Sequence, residues 1–95
     1  MFSIDYGNSA SKFLKKLSIK TDVKRIFNKI EELAKNPFPN EAKRVEGYNE
    51  VKVFRVRVGN YRILYFVDYD NSKLYVVNID KRERVYWQLW IYSKI

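Results

Sequence analysis

The chain has no cysteine and no histidine. Without cysteine, disulfides, zinc–thiolate sites and thiol catalysis are excluded. Without histidine, the commonest general base and the commonest metal ligand are missing, and with them any nuclease built on a pair of histidines. No cofactor and no metal are therefore expected. Long apolar runs are absent too: nothing approaches the roughly 20 residues that span a bilayer. Residues 1–20 alternate polar and apolar positions with several lysines, unlike a secretory leader. A soluble, cytoplasmic protein with no membrane contact is the expectation. Acidic residues are scarce. There are 11 Asp and Glu against 19 Lys and Arg, a net charge of +8, and on a small domain that imbalance points to nucleic acid or another acidic partner. Solubility alone would also account for it.

What is present suffices for one folded domain over residues 1–95. The length exceeds the size at which staples or metals are usually required, and the 46% hydrophobic content supports a real core. The densest β signal is V-F-R-V-R-V-G-N-Y-R-I-L-Y-F-V at residues 53–67. Two runs rich in β-branched and aromatic residues flank Gly59-Asn60, which tolerate the positive φ of a tight hairpin. With those two as the loop, Val58 faces Tyr61, Arg57 faces Arg62, Val56 faces Ile63 and Arg55 faces Leu64. Alternation then puts Phe54, Val56, Ile63 and Tyr65 on one face and Arg55, Arg57 and Arg62 on the other. Like charges directly opposite destabilise a sheet. Arg57 against Arg62 therefore opposes folding, and a bound anion is the simplest reason for the pair.

Around the hairpin the chain reads as follows. Residues 2–6 alternate as a first strand, and Gly7-Asn8-Ser9 offers caps for a helix over about 9–18, with Phe13, Leu14 and Leu17 inward. Thr21 or Asp22 caps a second helix in which Val23, Ile26, Phe27, Ile30, Leu33 and Ala34 form an apolar stripe. Its charged residues, Lys24, Arg25, Lys29, Glu31, Glu32 and Lys35, read as a solvated face. Asn36-Pro37 ends that helix. Residues 40–50 read as a loop. Asp70-Asn71-Ser72 turns the chain into a last strand over 74–79, with Tyr75, Val77 and Ile79 expected inward. The aromatic tail from Trp87 reads as core packing or as a docking surface. The order is β-α-α-β-β-β, an α+β domain with two helices on one face of a small, mainly antiparallel sheet.

Arginine suits phosphate recognition because its planar fork donates two parallel hydrogen bonds and keeps its charge. Arg55, Arg57 and Arg62 share a face, and Arg82 and Tyr86 emerge in the same region if the last strand neighbours the hairpin. Lys43, Arg44, Lys52, Lys81 and Arg84 are candidate RNA contacts, although residues placed like Lys43 and Arg44 are more often simple loop charges. Several arginines around one phosphodiester would stabilise a pentacoordinate transition state, with one donor worth about 3 kcal/mol. RNA carries its own nucleophile in the 2′-OH, so cleavage needs neither a metal nor an attacking water. Arginine does not deprotonate in proteins and is a poor base. Tyr86 would serve if neighbouring arginines lower its pKa from about 10, and is otherwise an ordinary aromatic at a sheet edge. Lys52 and Lys81 are weaker candidates for the base.

At these residues the chain resembles the RelE/ParE toxin superfamily, and within it the RelE branch of mRNA interferases. The hairpin R-V-R-V-G-N-Y-R-I-L-Y is similar to the family's R-x-R-x-G-x-Y-R-x-x-Y, and K-R-E-R-V-Y follows the last strand. The likeness covers nearly the whole chain. It implies a toxin of a toxin–antitoxin pair, which enters the ribosomal A site and cuts mRNA by 2′-OH attack, leaving a 2′,3′-cyclic phosphate. The ribosome, mRNA and a cognate antitoxin are the partners it implies, the antitoxin covering or distorting the basic face. It also implies catalytic roles for Arg55, Arg57, Arg62, Arg82 and Tyr86. Well-known members carry lysines at the first two positions, one of them a proposed base, and the Arg82–Tyr86 spacing is shorter than in some relatives. Arginine at both positions shifts weight onto Tyr86. Two other readings stay open: a ParE-like inhibitor of DNA gyrase, and a basic RNA- or ribosome-binding module without chemistry.

Overall fold

The Gly59-Asn60 turn fixes the register of the sheet around it. In the computed structural model, which describes residues 1–48 and 50–81, strands β3 (Phe54–Val58) and β4 (Tyr61–Asp68) pair as the sequence leads one to expect: Val58 opposite Tyr61, Arg57 opposite Arg62, Val56 opposite Ile63 and Arg55 opposite Leu64. Of the two loop residues, Gly59 takes positive φ, at 56°, and Asn60 does not. One left-handed residue at the first loop position is the signature of a type II′ turn, whose twist matches that of the strands.

The remaining elements are β1 (Ser3–Tyr6), α1 (Asn8–Lys16), α2 (Lys20–Lys35), β2 (Lys43–Arg44) and β5 (Lys73–Lys81). The five strands form one mixed sheet in the order β1-β5-β4-β3-β2. β1 runs parallel to β5, and the other neighbours are antiparallel. The fold is α+β, as expected. Its core lies between the helices and one face of the sheet. Ala10 of α1 and Ile26, Ile30 and Leu33 of α2 meet Val56, Ile63, Tyr65, Leu74, Val76 and Ile79, all at most 1% exposed. Each large apolar side chain withdrawn from water in this way contributes about 2 kcal/mol.

Four local expectations need correction. Residues 40–50 are not all loop: Lys43 and Arg44 pair with Arg55 and Phe54, in a strand too short to leave a periodic pattern. Neither Thr21 nor Asp22 caps α2. The cap residue is Ile19, without a side-chain hydrogen bond, and Asp22 lies in the first turn, where a carboxylate is favoured by the helix dipole. Phe27 is 38% exposed, and meets Tyr6 edge-on rather than entering the core.

The fourth correction concerns β5. Leu74, Val76 and Ile79 are its buried residues, whereas Tyr75 and Val77 lie on the outer face and are only half-buried. Leu64 pairs with Asn78 but Tyr65 pairs with Val76, so Val77 is an extra residue. Such a bulge shifts the inward–outward alternation by one position. No helix among the described residues is long and apolar enough to cross a membrane.

Candidate nucleic-acid interface

Pleat and register gather four cations on the sheet face turned away from the core. Directly paired residues share a face, so Lys43 on β2 lies beside Arg55 on β3, and Arg57 on β3 beside Arg62 on β4. Neighbouring strands are about 4.8 Å apart, and residues two apart along a strand about 6.7 Å. The four positions thus occupy one compact patch. Arg57 is exposed, while Arg55 and Arg62 are partly buried.

The row that holds Arg57 and Arg62 continues to Asp80 on β5. A carboxylate oxygen of Asp80 lies 3.6 Å from an Arg62 guanidinium nitrogen. The repulsion anticipated between Arg57 and Arg62 is therefore offset in part from within the sheet. Compensation is incomplete, because the buried Nε of Arg62 has no hydrogen-bond partner among the described residues. A buried donor without an acceptor costs about 1–3 kcal/mol.

The other candidates do not all join the patch. Arg44 pairs with Phe54 and so sits on the helix side of the edge. Lys52 lines a hollow with Phe38 and Phe54 at the far end of β3. Lys81 is opposite the buried Tyr61 and lines a hollow with Phe13, Lys16 and Leu17. Arg82, Arg84, Tyr86 and the tail from Trp87 lie outside the described residues. Two participants escape sequence reasoning. Asp80 meets Arg62 only because the bulge sets the register of β5. Arg25 of α2 reads as one of many charges on a polar helix face, yet its guanidinium lies against the hairpin turn, 3.0–3.3 Å from where a Cβ on Gly59 would stand.

Tyr65, Tyr61 and Tyr6 are poor bases. Burial pushes the Tyr65 hydroxyl up to about 12, and it donates to the Pro37 carbonyl. Tyr61 donates to Asp22 at 2.6 Å, and this hydrogen bond, with burial and the Asp22 charge, raises its pKa. Burial, and secondarily the charge of Glu31, also raises Tyr6. All three stay protonated at neutral pH. The patch therefore offers charge and hydrogen-bond donors, which suit binding and electrostatic stabilisation of a phosphodiester.

Residues 4–86 match the family model of the ParE toxin of type II toxin–antitoxin systems. A RelE1 protein of Methanocaldococcus jannaschii is 34% identical over 88 residues, covering 90% of this chain and 94% of its own. The fold is similar to that of RelE in the archaeal RelE–RelB complex from Pyrococcus horikoshii, with a TM-score of 0.72 at 23% identity, covering 87% of this chain and 97% of that one. It is similar also to the RelB–RelE complex from Methanococcus jannaschii, with a TM-score of 0.62 at 28% identity, covering 85% and 93%. With the family match running over nearly every described element and a relative this similar end to end, the chain belongs to the ParE toxin family of type II toxin–antitoxin systems, within the RelE/ParE superfamily.

Proposed function

We propose that this toxin is a metal-independent endoribonuclease that cuts mRNA in the ribosomal A site. The observation that carries the reading is the patch of Lys43, Arg55, Arg57 and Arg62 on one sheet face, with Asp80 as its paired carboxylate and a buried Arg62 donor left over. In this reading the 2′-oxygen attacks the adjacent phosphorus, the 5′-oxygen leaves, and a 2′,3′-cyclic phosphate remains. Arg55, Arg57 and Arg62, with Arg82 from the motif after β5, hold the phosphoryl oxygens and stabilise their added charge. Tyr86 is the proposed base. Lys43 and Arg84 contact the RNA backbone, and Arg44, Lys52 and Lys81, which face elsewhere, contact ribosomal RNA. The RelE–RelB complexes among its structural relatives support a cognate antitoxin as partner, covering or distorting the basic face.

The test is cleavage of a programmed ribosome by purified toxin, with the new mRNA ends mapped. Cuts within the A-site codon are the expected result, and intact mRNA at saturating toxin would end the reading. A second reading, inhibition of DNA gyrase, is favoured by the ParE description of the matching family. A supercoiling assay separates the two.

A further inference from the structure

The two-residue β2 covers only Phe54 and Arg55 of its neighbour, so residues 56–58 of β3, paired with β4 on one side, have no strand on the other side among the described residues. A hollow opens there between β3 and α2. Arg25, Asn28, Lys29 and Glu32 line it from the helix, and Arg57 and Val58 from the strand. The four helix residues recur at i, i+3, i+4 and i+7, which places them on one side of α2.

The charges in this hollow are unequally compensated. Lys29 is held by Glu41 at 2.5 Å and by Glu32 at 3.6 Å, so little of its charge is on offer. Among the described residues the ion-pair partner of Arg25 is Asp22, at 4.0 Å, and that carboxylate already accepts the Tyr61 hydroxyl. The Arg25 side chain is 58% exposed, so the pair does little to quench it. Its guanidinium lies over the hairpin turn, 3.0–3.3 Å from where a Cβ on Gly59 would stand. The positive φ of the turn is the reason for glycine at position 59.

We propose that Arg25 and Arg57 bind an RNA phosphodiester next to the one held on the sheet face, so that the strand turns round the open edge of β3. The inference rests on the RNA-directed reading above and adds a second phosphate position to it. Arg25 is a binding and positioning residue and takes no part in the chemistry. Arg57 belongs to both positions and links them.

The experiment measures binding of the full-length toxin to programmed ribosomes whose A-site codon is 2′-deoxy, which removes the nucleophile and reports affinity without cleavage. Arg25→Gln should weaken binding about tenfold and lower the slope of log K against log salt by about 0.7, one phosphate contact on a single strand. Arg25→Lys should recover part of the loss, and all variants should melt with the wild type. Replacing single mRNA phosphates by methylphosphonates identifies the source: loss of the Arg25→Gln effect at one substitution assigns the phosphate to the turned mRNA strand, and persistence at every position places it on ribosomal RNA and overturns that path. Wild-type affinity and salt slope in Arg25→Gln, beside weakened binding in Arg55→Gln, would overturn this inference and leave the functional reading standing. Wild-type affinity in both variants, or no binding by the wild type, would overturn both.

Discussion

Asp80 and Arg62 stand opposite each other on β5 and β4, with an oxygen and a nitrogen 3.6 Å apart. Arg62 thus has a carboxylate on one flank and Arg57 on the other. Its side chain is 21% exposed and that of Asp80 31%, so water screens the attraction, and the pair is worth at most about 1 kcal/mol. Its larger effect is to compete with a ligand. Asp80→Asn is expected to strengthen binding to 2′-deoxy programmed ribosomes several-fold, while lowering Tm by about 4–8 °C if the full 1 kcal/mol is lost. Filter binding and a thermal melt check the two halves. Unchanged affinity would mean that Arg62 does not reach nucleic acid.

Arg55 lies between Lys43 and Leu64, and no carboxylate pairs with it among the described residues. Removing it should leave the fold within about 0.5 kcal/mol of the wild type. Arg55→Ala and Arg62→Ala are each expected to slow single-turnover mRNA cleavage by about a hundredfold or more, the usual cost of one transition-state donor. Circular dichroism and rapid-quench assays on the same preparations decide it. Collapse of the fold in Arg55→Ala would show that the patch is structural.

Alkaline pH should destabilise the protein through Tyr65. Its folded-state pKa is raised from 10.0 to about 12, so below pH 10 the hydroxyl is protonated in both states and the stabilisation is fully present. Above pH 10 the unfolded chain loses the proton first, and stability falls until the folded pKa is passed, by roughly 2–3 kcal/mol in all. Tyr61 shifts in the same direction. Tyr65→Phe should lose about 1 kcal/mol at pH 8, because the Pro37 carbonyl loses its donor. In return, its stability should decline less between pH 10 and 12 than that of the wild type. Urea titrations across this range test the difference in slope.

Gly7→Ala is expected to destabilise by about 1–3 kcal/mol. A Cβ there would stand 3.2 Å from the carbonyl oxygens of Val76 and Val77 and from the Tyr75 hydroxyl. Gly7 itself donates to the Val76 carbonyl at 2.8 Å, so the backbone has little room to withdraw. The φ of −68° is ordinary, which makes the cost steric. A melt indistinguishable from wild type would show that α1 shifts freely over β5.

The hairpin was legible because its signals agree: alternating β-branched residues, a glycine at the turn and a register forced by a two-residue loop. The stripe of α2 was legible for the same reason, in that Ile26, Ile30 and Leu33 repeat at the helical period and are buried. The inward side of β5 was not, since one extra residue, Val77, reverses the alternation and leaves no composition signal. The start of α2 was not legible, because Ile19 takes the cap position that a Thr or Asp usually fills, whereas Gly7, which caps α1, stands in the stretch that offers its caps. Of the site, Arg55, Arg57 and Arg62 could be placed from the pleat alone. Asp80 and Arg25 could not, because one depends on the bulge and the other on how the hairpin folds back over a helix.

The shortness of β2 has a further consequence for the isolated toxin. A strand with a bare flank is a template on which a second molecule can polymerise edge to edge, and charged side chains are the usual guard against it. Arg57 stands on the flank of β3 that no strand covers among the described residues. A charge retained for ligand recognition would then also keep the protein from forming fibres, and an inactive Arg57→Ala variant prepared for study should be the one that precipitates on concentration.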